Sequence, residues 1–254
     1  MQLAERLARG DIVFTAWSGV PDSLTVELLA AQDFDIVTLD MQHGGHHEDS
    51  VVRSIPAVQR AGKPTLVRIP VGRFDMASRA LDFGAEGVIA PMVNSAEDAR
   101  LFAAAMKYPP VGQRSWGPTF GLPRHGGSQA EWLSASNVRT LAFAMVETRA
   151  AVDVLDAILD TPGIDGIFLG PSDFSIAWTN GGSVNPLLED MMATIENVAR
   201  RARHAGKHAA IYLIDPAMAG RYAAMGFQLF ATGSEGQLFA RGAEGILNTA
   251  RGSL

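Results

Sequence analysis

Four short apolar runs in this chain end in polar side chains that could carry out chemistry. His43 follows one run, Arg68 lies next to the end of another, Glu147 ends a third and Asp173 follows a fourth. Two buried carboxylates on neighbouring strands repel each other unless a cation lies between them. Their oxygens suit Mg²⁺, Mn²⁺ or Co²⁺, with water and substrate oxygens as the remaining ligands. Glu147 and Asp173 therefore predict a divalent-metal site or, as the alternative, ion pairs with Arg68 and Arg149.

Arg68 lies inside an otherwise apolar run, Thr65–Ile69. A buried guanidinium without a partner would cost several kcal/mol, so it needs an anion. The residues alone leave two candidates open, an internal carboxylate and the anionic group of a substrate.

Three histidines fall within five residues, at His43, His46 and His47. Their number suggests zinc, but Gly44 and Gly45 between them favour a loop, so helical ligand spacing cannot be assumed. The position of His43 next to a strand end favours a base or proton shuttle there. We expect His46 and His47 to be solvated loop residues.

The sequence Gly170-Pro171-Ser172-Asp173 follows another apolar run. Glycine followed by proline favours a tight turn, after which the backbone N–H groups of Ser172 and Asp173 could point at an anion or open a short helix. A plain turn between strand and helix is the alternative.

The elements that must position these residues follow a repeating pattern. Apolar runs of strand length alternate with segments of helical period, and glycine ends several of the helices. This pattern is typical of parallel βαβ units, and about 30 residues per unit favour closure into a (β/α)₈ barrel. A doubly wound open sheet is the alternative, but no GxGxxG motif follows the first run. The eight runs are Ile12–Ala16, Asp35–Met41, Thr65–Ile69, Gly87–Val93, Leu141–Glu147, Gly166–Leu169, Ala209–Leu213 and Gln228–Ala231.

Composition narrows the class of protein. The 254 residues fit one barrel domain, residues 1–254, and a charged fraction of 19% fits a sheet buried on both faces. A net charge of −6 argues against nucleic-acid or membrane partners, and the absence of cysteine excludes thiolate chemistry and disulfides. The first ten residues are amphipathic and lack the apolar stretch of a signal peptide, so we expect a cytoplasmic protein. The irregular stretch 107–128 predicts a functional loop or an interface, with an irregular surface excursion as the alternative.

Taken together, the chain resembles the metal-dependent (class II) pyruvate aldolases of the HpcH/HpaI type. These include 4-hydroxy-2-oxoheptanedioate aldolase and 2-keto-3-deoxy-L-rhamnonate aldolase, and the resemblance runs from Ala16 to about Arg241. It implies a barrel of the phosphoenolpyruvate/pyruvate type in a homo-hexamer, a dimer of trimers, with the C-terminal helix exchanged with a neighbouring subunit. The motifs that carry it are Asp40-Met41-Gln42-His43, Val67-Arg68, Ala90-Pro91-Met92-Val93, Tyr108–Arg114, Val146-Glu147-Thr148-Arg149 and Gly170–Ser175.

The resemblance also implies roles for the metal and keto-acid ligands. Glu147 and Asp173 would bind a divalent metal ion. Arg68 would bind the ketone oxygen of pyruvate and stabilise the enolate. The turn at Gly170, Pro171 and Ser172 would hold the pyruvate carboxylate.

Proton transfer and the interface complete the implied site. His43, hydrogen-bonded to Asp82, would move protons, and Arg114 would lie near a subunit interface and contribute to substrate binding. Two departures concern the pocket: Gln42 stands where the family commonly has glutamate, and Met145 where it commonly has glutamine.

These residues predict a carbon–carbon lyase that joins or separates an enolised 2-oxo acid, pyruvate or hydroxypyruvate, and an aldehyde. No lysine lies at a predicted strand end, which argues against a Schiff-base mechanism. One alternative is cleavage of a β-hydroxyacyl-CoA on the same barrel, which the acidic charge balance disfavours. The other is an inactive barrel used for binding or assembly, which should have lost a metal carboxylate or Arg68.

Overall fold

Eight parallel strands close into a barrel in which each strand pairs with the next and the last pairs with the first. The computed structural model describes residues 2–254. Each predicted run overlaps one strand, so the barrel prediction is confirmed and the open-sheet alternative is wrong. The strands are β1 (Val13–Ser18), β2 (Ile36–Asp40), β3 (Thr65–Arg68), β4 (Gly87–Ala90), β5 (Leu141–Val146), β6 (Gly166–Leu169), β7 (His208–Tyr212) and β8 (Leu229–Ser234).

Helices cover the outside of the barrel. Within residues 2–254 they are α1 (Leu3–Ala8), α2 (Ser23–Ala30), α3 (Glu48–Arg60), α4 (Phe74–Phe83), α5 (Ala96–Met106), α6 (Gly121–His125), α7 (Gln129–Arg139), α8 (Arg149–Asp153), α9 (Leu155–Leu159), α10 (Pro171–Trp178), α11 (Met192–His204), α12 (Ala219–Met225) and α13 (Glu235–Gly252), with short 3₁₀ turns at Glu189–Met191 and Pro216–Met218. In this part of the chain no helix is both long and apolar enough to cross a bilayer.

The strands are buried on both faces, which explains the low charge content. Alternate side chains point into the barrel, where Trp17, Phe143 and Phe168 belong to one interior cluster. Leu3 and Leu7 of α1 belong to the same cluster and close the amino-terminal end of the barrel. The opposite, carboxyl-terminal end is therefore the open one.

Glycine ends two of the helices as the sequence predicts. Gly84 and Gly226 cap α4 and α12 with φ of 108° and 107°, a left-handed conformation in which any other residue would be strained. These sharp ends let the chain turn directly into the next strand.

The irregular stretch 107–128 contains one short helix, α6, and is anchored at two buried cations. Lys107 Nζ donates to the carbonyl oxygens of Asn137 and Thr140 and to Asp165. Arg114 pairs with Asp82 of α4 at 2.7 Å. The stretch is therefore an ordered part of the barrel wall.

Candidate active site

The carboxyl ends of the strands surround a cavity of about 280 Å³. It contains most of the predicted site residues, which come from β3 and from the segments that follow β2, β5 and β6. Polar and small lining residues are His43, Arg68, Glu147, Gly170, Pro171, Ser172 and Asp173. Large lining residues are Trp17, Met145, Phe168, Tyr212 and Ile214. Of the predicted site residues, only Asp82 and Arg114 lie outside this cavity.

Arg68 is held by Asp40, so one of its two candidate partners is an internal carboxylate. The two residues are paired in register on β2 and β3, and Arg68 Nε and Nη2 donate to Asp40 at 2.8 and 2.6 Å. The guanidinium also lies 4.8 Å from the ring centroid of Trp17, whose Nε1 donates to Asp40 at 3.2 Å. Nη1 has no acceptor among residues 2–254 and remains free to bind a ligand.

The carboxyl group of Asp40 stays ionised despite its burial. Burial alone would raise its pKa, but hydrogen bonds from Arg68, the charge of that residue and the N–H of Gln42 hold the pKa of Asp40 below its usual value. A buried, two-point ion pair of this kind fixes the plane of the guanidinium. Asp40 therefore sets the direction in which Arg68 faces the cavity.

Glu147 is 1% exposed and sits directly after β5. Burial raises the pKa of Glu147 to about 7. The N–H of Met92 donates to Glu147 Oε2 at 2.8 Å and lowers this pKa, as does the charge of Arg68. The charge of Asp173 raises it further. Its Oε1 accepts no hydrogen bond from residues 2–254 and is available to a ligand.

Two unusual backbone positions hold Glu147 in place, one by a hydrogen bond and one by leaving room for its side chain. Met92 adopts a φ of 55°, in the left-handed region, and thereby turns its N–H towards the carboxylate. Gly170 lies so close to Glu147 that an added Cβ would collide with its Oε1 and stand 3.0 Å from its Cγ. Only glycine fits at position 170 without displacing Glu147.

Asp173 lies in the first turn of α10, which begins at Pro171 with Gly170 as its N-cap. The cap has no side chain to accept from the helix, and the N–H groups of Ser172 and Asp173 have no acceptor among residues 2–254. Ser172 and Asp173 line the cavity, and their N–H groups carry the partial positive charge of the helix terminus. The predicted opening of a short helix with free N–H groups is confirmed.

The donor set of the cavity fits a divalent metal ion. The alternative ion pairs are wrong, because Arg68 binds Asp40 and Arg149 donates to the carbonyl oxygen of Trp178. Glu147 and Asp173 have no salt-bridge partner among residues 2–254, and the repulsion between them is the kind that a cation relieves. In this part of the chain no three acidic or histidine side chains converge on one point. A metal ion held by Glu147 and Asp173 would therefore take its other ligands from water and substrate.

The three histidines do not converge on a zinc site. His43 is exposed at the cavity, and His47 caps α3 by accepting from the N–H of Ser50 at 3.4 Å. His46, expected to be solvated, is 4% exposed, so that prediction is wrong. Its ring nitrogens bond to Ser18 Oγ at 2.9 Å and Ser50 Oγ at 3.0 Å, which removes the cost of burying them.

Asp82 and Arg114 lie together and away from the cavity. Arg114 Nη2 donates to Asp82 at 2.7 Å, and the guanidinium stacks on the ring of Tyr108 at 4.6 Å. Burial raises the pKa of Asp82, against the hydrogen bond and charge of Arg114. Within one chain, therefore, Asp82 does not contact His43.

Sequence reasoning missed several residues of this site. Asp40 belongs to one of the motifs shared with the aldolase family, but no role was predicted for it. Its place opposite Arg68 follows once the two neighbouring parallel strands are aligned. Trp17 is the next-to-last residue of β1 and Tyr212 is the last residue of β7, so their position near strand ends was a usable signal. Nothing in the sequence marks Met92 as left-handed.

Fold and site together define a (β/α)₈ barrel enzyme whose cavity is suited to a small, anionic, oxygen-rich molecule. The HpcH/HpaI aldolase/citrate lyase family matches residues 14–242. The chain therefore belongs to this family, which confirms the resemblance predicted from the sequence and, at the level of the family, the prediction of a carbon–carbon lyase.

Named relatives cover almost the whole chain. The hydroxypyruvate/pyruvate aldolase of Roseovarius nubinhibens is 33% identical over 241 residues, 95% of this chain and 93% of the relative. The 4-hydroxy-2-oxo-heptane-1,7-dioate aldolase of Salmonella typhimurium is 34% identical over 230 residues, 91% of this chain and 87% of the relative. The crystal structure of an HpcH/HpaI aldolase from Desulfitobacterium hafniense superposes with a TM-score of 0.88 at 28% identity, covering 98% of this chain and 96% of that one.

Proposed function

We propose that this protein is a divalent-metal-dependent aldolase that reversibly cleaves a 4-hydroxy-2-oxo acid into an enolised 2-oxo acid, pyruvate or hydroxypyruvate, and an aldehyde. The observation that carries the proposal is the convergence of Arg68, Glu147, Asp173 and the free N–H groups of α10 on one cavity. Relatives named for pyruvate, hydroxypyruvate and a 4-hydroxy-2-oxo diacid support the same substrate class.

Glu147 and Asp173 are the proposed metal ligands, with Mg²⁺, Mn²⁺ or Co²⁺ as the ion. When bound, the ion supplies Lewis-acid polarisation of the keto-acid carbonyl. Glu147 would hold it as the carboxylate, so the proton that burial favours at this residue would have to leave first. Met92 and Gly170 keep Glu147 in place for this task.

The keto acid is oriented by two groups of donors. The N–H groups of Ser172 and Asp173 at the start of α10 suit its carboxylate. Arg68 Nη1, kept free because Asp40 binds Nε and Nη2, donates to the carbonyl oxygen at C2, where negative charge develops in the enolate.

His43 is the proposed proton carrier. In the cleavage direction it takes the proton of the C4 hydroxyl, and the O–H electrons form the aldehyde C=O while the C3–C4 bond breaks. The electron pair of that bond becomes the enolate, and His43 returns the proton to C3. A general acid–base group of this kind contributes roughly 10²–10⁴-fold to the rate.

Asp82 can pair with His43 only from another subunit, since in its own chain it is bound to Arg114. We therefore place the implied pair of His43 and Asp82 across an interface of the proposed homo-hexamer, with Arg114 beside it. The exposed α13 supports an assembly with exchanged C-terminal helices. It buries only Glu235 and leaves Phe239 and Ile246 68% and 71% exposed.

The two alternative functions are not favoured. A CoA substrate needs cations for its phosphates, and Arg68 is the one Lys or Arg among the described residues that line the cavity. An inactive barrel would lack part of the site, whereas Arg68, Glu147 and Asp173 are all present and gathered.

Metal removal tests the proposal. Exhaustive treatment with EDTA should abolish formation of pyruvate from 4-hydroxy-2-oxo acids, and Mg²⁺ or Mn²⁺ should restore it. Cleavage that continues unchanged in chelated protein would show that no metal is needed and would overturn the assignment.

A further inference from the structure

A buried polar cluster next to the cavity is used by no step described above. His46 Nε2 lies 2.9 Å from Ser18 Oγ, which donates to Glu235 Oε1 at 2.6 Å. Glu235 also accepts the N–H of Gly19 at 3.0 Å. Ser18, His46 and Glu235, called here the Ser18 network, are 0%, 4% and 6% exposed.

The directions of these hydrogen bonds follow from the available protons. Ser18 has one hydroxyl proton and gives it to the carboxylate of Glu235, so its oxygen must accept from His46 Nε2–H. His46 Nδ1 is then an acceptor for the hydroxyl of Ser50, 3.0 Å away, although that hydroxyl also lies 2.9 Å from the carbonyl oxygen of His47 and has one proton for the two acceptors. Burial lowers the pKa of His46 to about 4, against the charges of Glu235 and Asp40, which keeps the ring neutral as this arrangement requires.

The cluster is not a hydrolytic triad. Its carboxylate bonds to the serine and not to the histidine, and the Ser18 hydroxyl is fully buried and donates to that carboxylate. A catalytic serine would instead give its proton to the histidine and face a substrate. Its role must therefore be exerted through neighbouring residues.

Those neighbours form the segment that carries His43. Gly45 N donates to Gly19 O at 2.7 Å, and Gly44 N donates to Asp40 Oδ2 at 3.1 Å. A Cβ on Gly44 would stand 2.9 Å from the Cα of Gly19, so the two loops touch through backbone alone. The segment after β2 is thus held between Asp40 on one side and the end of β1 on the other.

Glu235 is brought to this place by an irregularity in β8. The register between β1 and β8 shifts between Ala16 and Trp17, and Gly233 there has a φ of 71°. Such a bulge redirects the side chains that follow it. The first residue of α13 consequently points under the His43 segment.

We propose that Ser18, His46 and Glu235 act as positioning residues, whose hydrogen bonds fix the place of His43 relative to Arg68 and tie it to the start of α13. This inference rests on the proposed function of the cavity. Because a misplacement of about 1 Å costs on the order of 10²-fold in rate, breaking the network should reduce proton transfer more than binding.

The experiment measures exchange of the pyruvate methyl protons with D₂O by NMR, the KM for pyruvate in that exchange, and Tm. His46→Ala and Ser18→Ala should lower the exchange rate roughly 10–100-fold while leaving KM within about threefold. His46→Gln, which keeps a donor for Ser18, should recover most of the rate. His47→Ala is the matched control, because it removes a helix cap from the next residue and should lower Tm without lowering the exchange rate.

Each outcome bears on the proposal. Exchange at the wild-type rate in both His46→Ala and Ser18→Ala would overturn it, as would an equal loss in His47→Ala. If His46→Ala does not fold, Ser18→Ala and His46→Gln give the same comparison. Independently, ¹⁵N shifts of His46 should show the neutral Nε2–H tautomer, and the Nδ1–H form would overturn the network. Wild-type protein that exchanges no protons with metal present would instead count against the proposed function.

Discussion

Arg68 shows how a single ion pair assigns separate tasks to the nitrogens of one guanidinium. Asp40 takes Nε and Nη2, Trp17 stacks against the plane, and Nη1 alone is left for a ligand. Removing one partner of such a buried pair leaves an unpaired charge and costs about 3–5 kcal/mol. The pair therefore combines a structural role with the catalytic role that we propose for Arg68.

Arg68→Lys separates these two tasks. The ammonium keeps the charge and can still pair with Asp40, but it cannot hold two oxygens of Asp40 in one plane and present a further donor to the cavity. We expect a folded protein whose kcat falls roughly 10²-fold, comparable to the loss of one preorganised donor. Steady-state kinetics with pyruvate-forming substrates measures this, and turnover near that of the wild type would assign Arg68 a structural role only.

Glu147 predicts a pH dependence of metal binding. Its pKa of about 7 means that below this pH the ion must displace a proton, so affinity should fall about tenfold per pH unit and roughly one proton should be released. Calorimetric titration in buffers of different ionisation enthalpy measures both quantities.

Variants of the two proposed metal ligands provide the control. Glu147→Gln or Asp173→Asn should weaken metal binding and activity together, because an amide carries no charge to offset the ion. Glu147→Gln should also abolish the released proton. Asp156→Asn, an exposed carboxylate paired with Arg201, should change neither. A ligand variant that binds metal as the wild type does would remove that residue from the site.

His43 and Asp82 are predicted to cooperate although they do not touch within one chain. His43→Ala should bind metal and pyruvate but lose methyl-proton exchange by roughly 10²–10⁴-fold, and Asp82→Asn should lose part of it with the same binding. Mixed oligomers of the two variants should exceed the mean activity of their parents, because some sites then combine an intact His43 with an intact Asp82. Activity no higher than that mean would contradict a pair across the interface.

At the scale of elements, Gly170 at the start of α10 affects both the N–H groups of the helix terminus and the position of Glu147. Gly170 leaves the N-terminal N–H groups uncapped and leaves room for Glu147. The helix terminus and Glu147, the proposed metal ligand, can therefore face the same cavity.

Gly170→Ala tests this packing. The added methyl group must displace Glu147, so we expect metal affinity to fall at least tenfold, together with a loss of stability of about 1–3 kcal/mol typical of overpacking. Gly220→Ala is the matched control, since its Cβ meets nothing within 4 Å and alanine favours the helix by about 1 kcal/mol. Calorimetry and thermal unfolding measure both effects. Unchanged metal affinity in Gly170→Ala would show that Glu147 tolerates displacement.

At the scale of the whole molecule, α13 is the element that the single chain leaves uncovered. It is 18 residues long, only its first residue is fully buried, and Phe239, Ile246 and Leu247 are exposed, whereas Leu238 packs against the core. A helix with one apolar face normally buries that face against another element. A second copy of the chain is the partner that the resemblance predicts.

The double variant Phe239→Ser, Ile246→Ser should therefore reduce the mass of the assembly in solution, because each exposed apolar side chain contributes about 1.5–3 kcal/mol when buried. Light scattering after size-exclusion chromatography measures the mass. Val138→Ser, at a residue 76% exposed on α7, is the control and should leave it unchanged. A wild-type monomer, or a double variant of wild-type mass, would contradict the exchange of this helix.

The sequence by itself determined the barrel and the side chains that reach its open end. Strands buried on both faces need continuous apolar runs, and glycine marks the helix ends, so local patterns were sufficient to place all eight strands. Because every strand of a parallel barrel ends on the same rim, Arg68, Glu147 and Asp173 could be assigned to one site before any contact was known.

Only the tertiary structure decided which of these groups pair and which are buried. The pairing of Arg68 with Asp40 depends on the register between two strands, and the burial of His46 depends on Ser18 and Ser50 closing around its ring. Glu235 meets Ser18 across 217 residues of sequence. Asp82 meets Arg114 instead of His43 because the long stretch 107–128 folds back onto α4. Contacts of this kind follow from packing between distant segments, which no local pattern of residue types encodes.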